Sequence, residues 1–426
     1  MRKMMSVLII VCMLASTAVL FAAGQEEGSK GPVELTYTTW MTKGEDKPWI
    51  DAFNAANDDV IVKMDMLEGG KYPELIRTRV LANDMPDVMM LMGNQIQEFS
   101  REGYLADITD TSAAKLQSST PMAADYNSRD GKVYGLNITG GFMGHVWYNK
   151  KLFSDLGLSV PETMDEFWAV CEALKAADKD PMLLGGADTW TYKMLRFASW
   201  TTFADPAMKA TGFGDIGEAL YNGADVAEVY RGHAEFIDEM VKKGYLIQAS
   251  LTTTWPQSSQ IFVDGNVGMF PQGPWMATLP EVVAADPDKF EMGVFAMPIE
   301  NEEGKRYVIA TMDRFMGVSS KSDNLDASMD FFNFVTSDES LIGYLEPQGL
   351  TTLLDLDYEL PQTIIDFKKM VTGEKYTAVP YVFPTPAAWE NQESQMPKNI
   401  QSGATVEQAL TEIKNYYLDG KETIKF

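Results

Sequence analysis

At 426 residues the chain exceeds one ordinary domain, and its composition (45% hydrophobic, 11% aromatic, 23% charged) excludes wholesale disorder. Its 61 acidic against 35 basic residues give a formal net charge of -26, which excludes nucleic-acid binding through a general basic surface. His145 and His233 are the only histidines, so neither a histidine-rich metal site nor a Ser-His-Asp triad is expected, and no cofactor is indicated.

In chain order, residues 1–23 read as an export signal: Arg2 and Lys3, the apolar run Val7–Leu14, then Ala22, Ala23 and Gly24 as small residues for cleavage. A membrane anchor is the alternative, but the run falls short of the roughly 20 apolar residues that a spanning helix needs. Residues 24–31 (GQEEGSKG) form a flexible leader. Loss of the signal removes Cys12 and leaves Cys171 alone, so the exported chain is held by its cores and not by a disulfide.

Strand-like Val33–Trp40 precedes a helix over Trp49–Ala56, strand Val60–Met66, a helix over Tyr72–Ala82 and the apolar strand Asp87–Leu91. This alternation predicts βαβ units and largely parallel sheets. Gly140–Gly144 lacks dinucleotide-binding spacing and reads as a bend before the strand His145–Tyr148. Thr163 and Glu166 form a capping box for a helix that buries Phe167, Val170, Cys171 and Leu174. The middle of the chain is richer in helix; strands return at Met292–Ala296, Arg306–Ile309 and Phe315–Val318. Helices are then expected over Asp326–Val335 and Val406–Tyr417, the latter opened by a Thr405/Gln408 box.

The common nucleotide, zinc, hydrolase-elbow and calcium-loop motifs are absent from the sequence. Acidic pairs such as Asp355/Asp357 offer the two carboxylates of a glycosidase, but 61 acids produce such pairs by chance. The tryptophans are more informative. Trp49, Trp147 and Trp168 sit in core patterns, whereas Trp40, Trp190, Trp255, Trp275 and Trp389 lie beside turn residues. Rings in such places either close over a core or present a flat apolar face to a ligand, and a sugar has a matching face of C–H groups.

An ordered series of motifs then carries a resemblance: Met85–Met90 (MPDVMM), Gly103–Thr109 (GYLADIT), Asp130–Leu136 (DGKVYGL), Trp147–Phe153 (WYNKKLF), Gly157–Phe167 (GLSVPETMDEF), Gly265–Phe270 with Gly273-Pro274-Trp275, and Ser402–Leu410. The sequence resembles the extracellular solute-binding proteins of bacterial ABC importers, the group that includes maltose- and oligosaccharide-binding proteins. The resemblance implies an α/β, two-lobed periplasmic-binding-protein fold of type II, each lobe a mostly parallel sheet flanked by helices, with three crossings. These are expected near Gly144–Tyr148, Ile309–Val318 and Leu345–Thr352, dividing the chain into a first lobe of 32–144 plus 310–345 and a second of 145–309 plus 346–426. It further implies an exported, monomeric, non-enzymatic protein that closes on a ligand and presents it to the permease subunits of an importer. The ligand is a sugar or oligosaccharide; a polyol, glycerol-phosphate conjugate or peptide is the alternative within the fold, and a carboxylate-dependent glycoside hydrolase or lyase the alternative outside it. By motif, Trp275 and Trp389 fall where the family places stacking aromatics. Trp40, Glu68 and Asn94 follow strands of the first lobe; Trp190 follows a GGAD turn; Trp255 corresponds by approximate position. Asp313 and Arg314 stand where many relatives have glycine, and Arg314 is open to two roles, a fork for a ligand or a structural ion pair.

Overall fold

The computed structural model describes residues 31–68, 71–118, 121–203, 225–298, 306–381 and 387–420. The export signal, and all of the leader except Gly31, lie outside the described residues. The strands are β1 (Val33–Thr39), β2 (Val60–Met66), β3 (Val88–Leu91), the hairpin β4 (Ser128–Arg129) and β5 (Lys132–Val133), β6 (Leu136–Asn137), β7 (Gly140–Met143), β8 (His145–Asn149), β9 (Asp180–Met182), β10 (Val267–Pro271), β11 (Met292–Ala296), β12 (Arg306–Met312), β13 (Phe315–Val318) and β14 (Tyr376–Tyr381).

Two principal sheets define two lobes. The first has the order β2-β1-β3-β13-β6 and the second β11-β8-β10-β9, while β14-β12-β7 forms a third, smaller sheet. The chain is the expected two-lobed α/β protein, but its sheets are mixed and not mostly parallel. β1 pairs in parallel with β2 and β3, as βαβ units dictate, whereas β13 runs antiparallel to β3 and β6. In the second sheet β8 is antiparallel to both β10 and β11, and only β9 and β10 are parallel. The physical reason is the crossing: β13 and β8 each follow directly from a strand of the third sheet and enter the next sheet against its local direction.

Gly140–Met143, expected to be a bend, is instead the strand β7, paired antiparallel with β12. The bend falls one residue later, at Gly144, whose φ of 100° suits glycine. The chain passes between lobes through β6, β7 and β8, and returns from β12 to β13 through Asp313 and Arg314. Leu350 and Leu354, expected in the second lobe, pack in the core of the first; Ile364 and Phe367 pack in second-lobe cores. The last passage therefore runs between Leu354 and Ile364.

Local signals explain the helices around these sheets. Thr163 accepts from the Glu166 backbone N–H at 3.2 Å, and the Glu166 carboxylate reaches back to the Glu162 N–H at 2.7 Å. The helix Met164–Ala176 that follows buries Phe167, Val170, Cys171 and Leu174, and burial pushes the Cys171 thiol upward in pKa. In the helix Val406–Gly420 the Thr405/Gln408 box is fully reciprocal, at 2.9 and 3.2 Å.

Both histidines are buried in the second lobe. His145 stacks on Phe367 at 3.8 Å between centroids, and His233 meets the Ser199 hydroxyl at 3.0 Å. Burial holds each near pKa 3, with the Arg196 charge adding to the effect at His233. Between the unfolded value of about 6.5 and 3, the unfolded chain binds more protons, so stability falls as pH drops through that window. Each histidine is expected to remove about 2 kcal/mol between pH 8 and pH 5. Urea denaturation at both pH values checks this: His145→Phe should flatten the wild-type dependence by about half of the combined effect, and an unchanged slope would contradict it.

Candidate binding cleft

The register brings the carboxyl ends of β1, β2 and β3 to one edge of the first sheet. Thr39 lies opposite Met66, and Leu91 lies opposite Phe315, the first residue of β13. Trp40, Glu68, Asn94, Asp313 and Arg314 therefore stand along this one edge, although they come from four separate segments. The second sheet offers a corresponding edge, where β9 leads into Gly185-Gly186, β10 into Gln272–Trp275, and Gly144 opens β8. Crevices outside the carboxyl ends of strands are the usual ligand sites of such sheets.

On the second edge, three tryptophans predicted from separate loops converge. Trp190 lies 5.5 Å from Trp255 and 6.0 Å from Trp275, and Trp255 lies 6.5 Å from Trp275, all edge-to-face. All three are partly buried. Trp190 and Trp255 each open a helix, Trp190–Phe203 and Trp255–Val263, and Trp275 sits in the short turn Pro274–Thr278.

Three glycines and one carboxylate make this cluster possible. The Asp188 carboxylate accepts from the Trp255 backbone N–H at 2.7 Å, tying the GGAD turn to the start of the second helix. A Cβ on Gly185 would stand 2.9 Å from the Trp255 Cα, and one on Gly186 would stand 2.8 Å from the Ser250 carbonyl oxygen. Gly273 is covered by the Trp275 ring, whose Cζ3 would lie 2.2 Å from an added Cβ. The Gly273 backbone has φ of -77°, which any residue accepts, so an added methyl acts only by displacing the ring. Gly273→Ala is accordingly expected to preserve the fold while weakening the near-ultraviolet circular dichroism of the Trp cluster; an unchanged spectrum would show that the ring has not moved.

On the first edge, Trp40 is partly buried and rests edge-on against Tyr72, with centroids 4.9 Å apart. Tyr72 is itself fixed by donating to the Thr38 and Met90 carbonyls at 3.2 and 2.5 Å. Asn94 is 9% exposed, and its Oδ1 has no hydrogen-bond partner among the described residues. Such an amide oxygen costs about 1–3 kcal/mol when left unsatisfied. Glu68 is exposed and accepts from Lys71 at 2.9 Å, a surface pair within one turn. Asp313 is partly buried. Of Trp389, only the backbone falls within the described residues, in the helix Ala387–Gln401.

Arg314 is buried and points into the first lobe. Its Nη1 donates to the Tyr344 hydroxyl at 2.6 Å and to the Gln348 Oε1 at 3.4 Å, and Tyr344 stacks on Trp49 at 4.0 Å. Nearby, Tyr37 donates to the Asp46 carboxylate at 2.7 Å. Burial pushes the Asp46 carboxyl upward in pKa, opposed by hydrogen bonds from Thr39 and Tyr37 and by the Arg314 charge. Of the two roles open to Arg314, this setting favours the structural one. Residues that carried no local sequence signal also meet in the second lobe: Arg196, Tyr230 and Glu393 form a buried hydrogen-bonded cluster.

Among the described residues, no group of three or more His, Cys, Asp or Glu side chains is placed to hold a metal ion, and no helix is long and apolar enough to cross a membrane. The model of a family described as bacterial extracellular solute-binding protein matches residues 48–356. The chain belongs to this family. Its members bind solutes without transforming them, which sets aside the hydrolase alternative, and they act outside the cytoplasm with the permease components of ABC transporters. The chain is 29% identical to the multiple sugar-binding protein of Streptococcus mutans over 314 residues, covering 71% of this chain and 70% of that one. The fold is shared with a chitin oligosaccharide binding protein (TM-score 0.78, 20% identity, 92% of this chain and 99% of that one). It is shared as well with a sugar transporter protein of Bacillus licheniformis in complex with stachyose (TM-score 0.76, 21% identity, 92% and 100%).

Proposed function

We propose that this solute-binding protein captures a sugar or oligosaccharide between its lobes and delivers it to an ABC importer, after export directed by residues 1–23. The observation that carries this reading is the cluster of Trp190, Trp255 and Trp275 at the strand ends of the second sheet, together with Trp40 and an Asn94 amide oxygen that has no hydrogen-bond partner among the described residues at the strand ends of the first. Aromatic faces take the C–H face of a sugar ring, and an amide oxygen accepts from a hydroxyl. Names of relatives point the same way, since a multiple sugar-binding protein and proteins of chitin oligosaccharides and stachyose are among them. Trp389 joins the proposed contacts by its place in the family motif. Glu68 and Asp313 remain proposed rim contacts, and Arg314 a support of the hinge.

A ligand that touches both lobes favours the closed state by its differential affinity, which is how capture becomes a shape for the permease to recognise. Tryptophan fluorescence titration against mono- and oligosaccharides tests the reading. A saturable shift, with the sugar recovered unchanged, is expected; silence across the sugars together with a response to a polyol or a peptide would replace it.

A further inference from the structure

Two buried polar side chains stand next to each other at the cleft end of the second sheet. His145 opens β8 directly after the Gly144 bend, and Gln272 follows the last residue of β10. The Gln272 backbone N–H donates to the His145 carbonyl at 3.2 Å, which extends the antiparallel pairing of Pro271 with Val146 by one residue. The two side chains are therefore cross-strand neighbours on one face of the sheet. His145 is 2% exposed and Gln272 1%. His145 Nδ1 and both polar atoms of the Gln272 amide, Oε1 and Nε2, have no hydrogen-bond partner among the described residues.

The side chains around this pair do not supply the missing partners. The imidazole stacks on the Phe367 ring at 3.8 Å and on the Trp147 ring at 5.6 Å between centroids. The Trp147 Nε1–H already donates to the Gln272 and Gly273 carbonyls, at 3.2 and 3.1 Å. On the other side of β8, β11 places Ala296 opposite His145, and its methyl group has nothing to donate or accept. Buried polar atoms are nearly always paired, so the partner comes from outside the chain. Burial holds the His145 imidazole neutral, with its pKa at about 3, and the same burial disfavours an ion beside it. A neutral imidazole offers one donor and one acceptor, and an amide adds two donors and an acceptor oxygen. A hydroxyl, which both donates and accepts, matches that set. We propose that His145 and Gln272 form a binding site for a hydroxyl, of a water molecule or of the captured sugar, where the crossing into β8 meets the turn that carries Trp275. The water source is independent of the sugar reading above; the sugar source rests on it.

Crystal structures of the protein, sugar-free and grown with stachyose or chitotriose, test the site. The expected result is an oxygen atom within about 3.2 Å of both His145 Nδ1 and the Gln272 amide. Its presence in the sugar-free crystal assigns it to water; its appearance only as part of a bound ring assigns it to the sugar. Calorimetric titration of Gln272→Met separates the sources again, with about a tenfold loss of affinity for a sugar hydroxyl and less than about threefold for water. A second measurement needs no crystal. The sequence has only two histidines, so isotope-labelled histidine gives two sets of imidazole nitrogen resonances. Gln272→Met should move the His145 set and leave the His233 set in place. Crystals that show no such oxygen in either state, with the amide turned onto His145 or another protein group, overturn the proposal, as do His145 resonances that the substitution leaves unmoved. The oxygen seen in the sugar-free crystal upholds the site even where neither sugar binds, a result that would count against the sugar reading alone.

Discussion

Replacing Arg196 with methionine alone is expected to destabilise the protein by about 3–5 kcal/mol, more than any other single change considered. The substitution takes the Arg196 guanidinium away from a Glu393 carboxylate that is 3% exposed and that also accepts from the Tyr230 hydroxyl. Removing one partner of a buried pair exposes the full desolvation cost of the other, whereas removing both leaves none. Urea denaturation checks this through the contrast between Arg196→Met and the combined replacement Arg196→Met, Tyr230→Phe and Glu393→Leu. The single variant should be markedly weaker and the combined one close to wild type. A single variant that loses less than about 1 kcal/mol would mean that the pair contributes no more than a surface salt bridge.

Trp275→Ala is expected to have the largest effect on binding. The ring packs against core clusters of both lobes and also belongs to the tryptophan trio. Three residues on, the Thr278 hydroxyl donates to the Gln348 carbonyl at 2.7 Å, and Gln348 in turn accepts from Arg314. The short turn Pro274–Thr278 therefore joins the proposed sugar platform to the segment that closes the first lobe. Truncating a central aromatic anchor costs about 2 kcal/mol or more in binding, roughly a thirtyfold loss of affinity. Trp190→Ala removes a platform ring that packs against a second-lobe core only, and should cost less. Titration by calorimetry ranks the two variants, and small-angle scattering reads the contraction on ligand addition. Equal losses, with contraction unchanged in Trp275→Ala, would assign Trp275 to the platform alone.

Much of both lobes was legible because the signals are local. Strands Val60–Met66 and Phe315–Val318 follow from apolar runs bounded by polar or turn residues, and the capping residues Thr163 and Thr405 mark helix starts through bonds spanning three or four residues. The candidate tryptophans were identifiable one by one from their turn neighbours. Their convergence was not, because the ties that create it join positions far apart in sequence: Asp188 to Trp255, and Gly185 to the Trp255 backbone. Strand direction was equally hidden. Val146 and Phe315 have the same apolar character in a parallel or an antiparallel pair, so only the path of the chain between lobes decides their direction.

Composition and ordered motifs by themselves determined the class of this protein: an acidic, histidine-poor, two-lobed α/β chain of the solute-binding kind, with aromatic residues at its turns. Hydrophobic periodicity and caps act over one or two helical turns, so a sequence carries them openly. The tertiary structure alone decided that Trp190, Trp255 and Trp275 share one cluster, that the Arg314 guanidinium engages Tyr344, and that Arg196 meets Glu393 across 197 residues. These outcomes depend on burial and on the desolvation of charges, which exist only once distant segments have excluded water from between them.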